Sequence, residues 1–248
     1  MGQVGLHGLT GLVVGEYLLS SYVTKPAARR GLLYGFALGN FLPDLDFLAV
    51  VAMYPQNHSL AMHLHRGFSH SLLAATALVV GFYAAGALMR DTYLRYLGYG
   101  LALGVVAHFT EDIFLWFAPV DIFWPASIFG YIPPVDLWWW WTTPPLLGRL
   151  LGAAEFAAFA LYYDYLVRVA VAYGTNQDFA PTVRRMATTC WLVFAVLTAL
   201  AVDLPNKTFE MALYVPMGIV FMPAVFYITW RMQATIEVLA TGRKQPQL

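Results

Sequence analysis

Three short segments bring together residue types that bind metal ions: Leu42-Pro43-Asp44-Leu45-Asp46, His65-Arg66-Gly67-Phe68-Ser69-His70-Ser71 and His108-Phe109-Thr110-Glu111-Asp112. The first and third interrupt runs that are otherwise apolar enough for lipid. An ionisable residue inside a bilayer costs about 2.5–3.5 kcal/mol on insertion scales, so a chain that places several there is expected to use them together. His108 and Asp112 stand at i and i+4 and share one helical face, a suitable spacing for two ligands on one cation. Imidazole with carboxylate suits zinc first, with manganese or iron as alternatives.

The elements that must position these groups are membrane spans. Of 248 residues, 60% are hydrophobic and 11% charged, with a mean hydropathy of +0.61. Soluble domains carry about 25% charged residues. The expected class is therefore all-α, a polytopic transmembrane helix bundle forming a single membrane domain over 1–248. Zero net charge removes the electrostatic case for nucleic acid. The lone Cys190 excludes an internal disulfide, and the absence of Lys or Arg before Lys25 argues against a cleaved signal peptide.

A span needs about 20 mostly apolar residues. Seven segments qualify, roughly Gly5–Val23, Gly31–Tyr54, His70–Met89, Arg95–Phe117, Leu146–Ala172, Ala187–Val202 and Met211–Arg231. Trp138–Trp141 falls before the fifth and suits an interfacial belt, with a re-entrant or surface helix as an option. With the N-terminus outside, Lys25, Arg29, Arg30, Arg90, Arg95, Arg168, Arg184, Arg185, Arg231, Arg243 and Lys244 face inward, while Arg66, Arg149 and Lys207 face outward. That bias of 11 against 3 predicts an N-out, C-in bundle. Gly31, Gly35 and Gly39 repeat every four residues and predict close helix packing.

Asp44 lies 13 residues beyond Gly31, and His108 lies 13 beyond Arg95. At about 1.5 Å per residue both sit roughly 20 Å from the inner boundary. Asp46 and Asp112 are further out, His65 and His70 sit at the outer loop and third span, and His7 is near the outer end of the first. Four segments thus deliver ligand types to one outward-facing level. Asp44 has the alternative of capping the helix that resumes after a kink at Pro43. Asp46 is either a ligand or a partner that orients a histidine. Gly67 permits a turn, and Ser69 is the expected N-cap of the third helix. Glu111 is a candidate general base or a bond to another helix, and Arg66 a phosphate contact or an interfacial anchor. His58 and His63 are expected to be solvated loop residues, Glu16 and Glu155 to be structural acids, and Asp164 to pair with Arg168. Sequence motifs for a serine-nucleophile elbow, a P-loop or a dinucleotide fold are absent.

The order His7, L-P-D-L-D (42–46), H-R-G-F-S-H-S (65–71), then Gly104, His108 and Asp112 in G-x-x-x-H-x-x-x-D, followed by Trp124-Pro125, resembles the YdjM-like family of inner-membrane proteins, described as metal-dependent hydrolases. The resemblance covers about Met1–Pro125; residues 126–248 supply further helices. The family is in turn distantly similar to the zinc-dependent phospholipase C and P1 nuclease group. Carried over, His7, Asp44 or Asp46, His65 or His70, His108 and Asp112 match that group's ligands in order. A second downstream H-x-x-x-[DE] pair is missing, since no His follows His108, so the resemblance implies one or two metal ions here rather than three. It also implies the inner membrane of a prokaryote. The leading expectation is a hydrolase acting on a phosphoester or lipid at the outer leaflet, with membrane lipids as partners. Asp46, Glu111 or a histidine would take the proton, and Arg66 would hold developing negative charge. A metal or proton transporter, or a non-catalytic subunit of a larger membrane complex, are the rival expectations.

Overall fold

The computed structural model describes residues 4–19, 23–46, 67–115 and 119–240. Among these the chain is helical, with one isolated antiparallel bridge between Val120 and Val135. The helices are α1 (Val4–Val14, extended by a π-helical turn Gly15–Leu19), α2 (Pro26–Gly39), α3 (Leu72–Leu88), α4 (Thr92–Leu115), α5 (Pro145–Tyr173), α6 (Ala180–Asp203), α7 (Asn206–Pro216), α8 (Met222–Arg231) and α9 (Gln233–Ala240). Short 3-10 turns span Pro43–Asp46 and Phe68–His70. Among the described residues three stretches are long and apolar enough to cross a membrane: α5, α6, and the run Asn206–Arg231 through α7, a π-helical turn and α8. The apolar α3 is shorter.

The described residues group into two compact units. One is built from Thr10–Trp141, the other from Gln3–Leu9 with Thr142–Leu248.

In the first unit α2 packs on α4 with almost no side chain between the backbones. A Cβ added to Gly31, Gly35 or Gly39 would run into the carbonyl oxygens of Tyr93, Leu97 or Leu101. From the other side, one on Gly100 would meet Leu32 O, and one on Gly104 would lie 2.7 Å from Asn40 N. The expected close-packing face is present, and its partner is the helix that carries His108 and Asp112. Helix α3 completes the unit against α4 through Ala75, Ala102, Val105 and Phe109, with Val120 sealing the end.

Two local expectations are corrected. The N-cap of α3 is Ser71, whose hydroxyl accepts from Ala74 N at 3.1 Å, and not Ser69. Trp138–Trp140 lie in a turn and Trp141 in irregular chain, so the option of a re-entrant or surface helix is not taken up. Trp139 and Trp140 are largely exposed, while Trp138 donates from Nε1 to Phe114 O at 3.2 Å. The preceding loop is tied down by paired bonds between Val120 and Val135 and by Leu72 N donating to Ile122 O at 3.0 Å. It carries the cis Trp124–Pro125 peptide, and Trp124 meets Phe68 edge-on at 5.2 Å.

In the second unit α5 is the central helix, burying Phe156, Phe159, Tyr162, Tyr163 and Leu166. Gly174 at φ +69 ends it in the left-handed conformation that glycine adopts without a Cβ penalty. Glu155 accepts from Gly5 N at 2.7 Å, the structural hydrogen bonding expected of an acid in an apolar span. Asp164 accepts from Trp191 Nε1 at 3.2 Å.

Candidate metal centre

Pro43 has no amide hydrogen to continue a helix, and the chain after α2 tightens into the Pro43–Asp46 turn. That turn buries Asp44. The Phe68–His70 turn buries His70, and α4 buries His108 and Asp112 one helical turn apart. All four side chains are at most 2% exposed. Their donor atoms converge. His108 Nε2 is 3.1 Å from His70 Nε2. Asp112 Oδ2 is 3.5 Å from His70 Nε2 and 3.7 Å from His108 Nε2. Asp44 Oδ1 is 3.8 and 3.7 Å from the same two nitrogens. An ion held tetrahedrally at about 2.0–2.2 Å spaces its ligands roughly 3.3–3.6 Å apart, so these spacings lie near those of ligands on one divalent cation, and Asp44, His70 and His108 group as one candidate metal site.

Protons on the far side of each ring sharpen this fit. His108 Nδ1 is 2.7 Å from the backbone carbonyl of Asn40. A carbonyl only accepts, so Nδ1 carries the hydrogen and the lone pair of the neutral ring is on Nε2. Ser69 Oγ donates to Asp46 Oδ2 at 2.6 Å and stands 3.0 Å from His70 Nδ1. With its proton directed to the carboxylate, Oγ accepts from Nδ1, which again leaves the lone pair on Nε2. With these tautomers the two Nε2 lone pairs face each other across 3.1 Å. That contact is repulsive until positive charge lies between them. Two aspartates and a divalent cation sum to zero, and a neutral cluster is the form least costly to bury.

The structure thus brings together Asp44, His70, His108 and Asp112. Asp46 faces Nδ1 of His70 at 3.7 Å, on the opposite ring edge from the converging atoms, in the position of an orienting partner. Glu111 is half-buried on α4, and none of the distances that define the cluster involves it. His7 is buried on the turns of α1 that group with the second unit. His65 and Arg66, with His58 and His63, lie outside the described residues. Two contributors were not singled out from sequence: the Asn40 carbonyl and the Ser69 hydroxyl. The available signal for Asn40 was its place directly after the Gly31, Gly35, Gly39 repeat.

Fold and centre together define a helical membrane protein with a buried His/Asp cluster able to hold a metal ion. The chain belongs to the YdjM inner membrane protein family, whose model matches residues 1–177 and so includes every residue of the cluster. No curated protein and no solved structure matches it.

Proposed function

We propose that this chain is a membrane-embedded, metal-dependent hydrolase acting on a phosphoester, with a lipid as the most fitting substrate, at the outer side of the inner membrane. The observation that carries the reading is the pair of Nε2 atoms 3.1 Å apart beside two buried aspartates. Asp44, His70, His108 and Asp112 would hold a divalent cation, zinc by donor type. A cation bound there supplies Lewis acidity, polarising a phosphoryl oxygen and acidifying water. Ser69 and Asp46 hold His70 in its ligating tautomer. Glu111, next to Asp112, takes the proton lost by water, and Arg66 opposes the negative charge that develops on phosphate. The proposed frame is seven spans with the N-terminus outside, supported by the 11-to-3 asymmetry of Lys and Arg. The order of ligand types, which resembles that of zinc-dependent phospholipase C and P1 nuclease, is what favours a phosphoester over an amide in this reading.

Elemental analysis of protein purified without chelators tests the reading, beside His70→Ala and His108→Ala. Expected is close to one transition-metal ion per chain in wild type, lost in both variants, with metal-dependent turnover of a chromogenic phosphodiester. Wild type without metal, or full retention in both variants, would sink it. His7→Ala, His65→Ala and Arg66→Ala in the same assay test the remaining sequence-based expectations.

A further inference from the structure

A cavity of about 470 Å³ lies between α3 and α4. Ser69 and Leu42 line one end, and Ala85 and Leu94 line the other. Ser69 is the hydroxyl that joins Asp46 to His70, and Leu42 stands two residues before Asp44. Every other lining residue is apolar or glycine. The cavity therefore grades from the edge of the metal centre into pure hydrocarbon. Along α3 it runs from Ala74 to Ala85, about 16 Å at 1.5 Å per residue. One leaflet of a bilayer with a hydrocarbon core of about 30 Å contributes about 15 Å.

We infer that this groove holds one acyl chain of a membrane lipid, with the lipid's polar head at the His70–His108 cluster. The inference rests on the proposed hydrolase reading and names its substrate class: an amphiphile whose tail occupies the groove while its phosphoester lies at the centre. Three features select an acyl chain over a peptide or a second copy of this chain. The walls offer no hydrogen-bonding group beyond Ser69, so a peptide backbone would be left unsatisfied there. The length equals one leaflet. The polar end is Ser69, the residue before His70, so it borders the site where the head's chemistry is proposed.

Gly81 lines the groove, and a Cβ built on it meets nothing within 4 Å. A side chain at this position starts in open space with the groove to fill, and replacing a mid-helix glycine does not threaten α3. The test uses full-length protein in nanodiscs containing phosphatidylglycerol with a diazirine at the end of one acyl chain. Adducts are mapped by mass spectrometry in wild type, Gly81→Leu and Gly81→Trp, with metal content measured on the same samples. Each methylene excluded from an apolar site weakens binding about fourfold. Wild type should carry adducts at Ala85 or Leu94, and these should fall by about tenfold or more in both variants. Labelling at the exposed Val80 and the metal content should not change. Groove adducts that persist at wild-type level in Gly81→Trp, or that never form in wild type, overturn the acyl-chain assignment and leave the metal reading standing. Wild type without metal but with adducts that Gly81→Trp removes overturns the hydrolase reading and supports the groove.

Discussion

At His70 and His108 the far ring nitrogen decides what the near one can do. Asn40 O and Ser69 Oγ hold both Nδ1 hydrogens, so both Nε2 atoms are ligands in waiting. The two supports differ in how they can be removed. Ser69→Ala deletes the acceptor for His70 and the donor to Asp46, and loss of such an outer partner lowers metal affinity by about 10–100-fold. Competition with a chelator of known affinity measures this, and an affinity equal to wild type would count against the tautomer argument. Asp44, His108 and Asp112 were legible in the sequence because ionisable groups stand out in apolar runs, whereas His70 stood out only through its motif, which did not separate it from His65. Ser69 was read as a helix cap because a serine just before an apolar run has that default meaning; Ser71 holds the cap and leaves Ser69 for the histidine. The Asn40 carbonyl had no chemical signature, since every residue carries a carbonyl; only its place after the glycine repeat pointed to it.

The helix pair α2–α4 sets the position of His108. Gly104, one turn before His108, faces Phe36 and Asn40 so closely that any side chain must push the helices apart. Gly104→Leu should destabilise the protein by about 1–3 kcal/mol and lower metal content, because His108 would move away from Asn40 O. Gly148 is a contrasting case. Its added Cβ would find only Thr143 Cγ2 at 3.8 Å, so Gly148→Ala should be neutral or stabilise α5 by about 0.5–1 kcal/mol. Thermal denaturation in one detergent compares both, and equal effects would refute the backbone-contact account. The helices themselves were foreseeable from apolar run length, and Gly31, Gly35 and Gly39 from their spacing. The Trp138–Trp141 turn was not, because four aromatic residues carry no period that separates a helix from a turn at an interface.

For the whole chain, cation binding and folding are linked, since the ligands come from three separate stretches of sequence. A ligand at about 1,000 times its Kd stabilises the native state by about 4 kcal/mol. Chelation should therefore lower the thermal midpoint measurably in wild type and have no effect on His108→Ala. Equal shifts in both would mean the chelator acts elsewhere. Orientation is tested with single cysteines in a Cys190→Ala background. Asn57→Cys should react with an impermeant maleimide in intact cells, and Met89→Cys only after permeabilisation; the reverse pattern would invert the proposed frame. The helical membrane class could be read from composition and order, whereas the grouping into two units could not, since it depends on which helix faces meet. The glycine contact between α2 and α4 also bears on biogenesis. A slip of one turn, about 5.4 Å, takes Asn40 O out of reach of His108. The centre is therefore completed only after both helices are docked in register. Metal loading would then be a late event, and a bound cation would distinguish a correctly assembled chain from one whose helices have not yet docked.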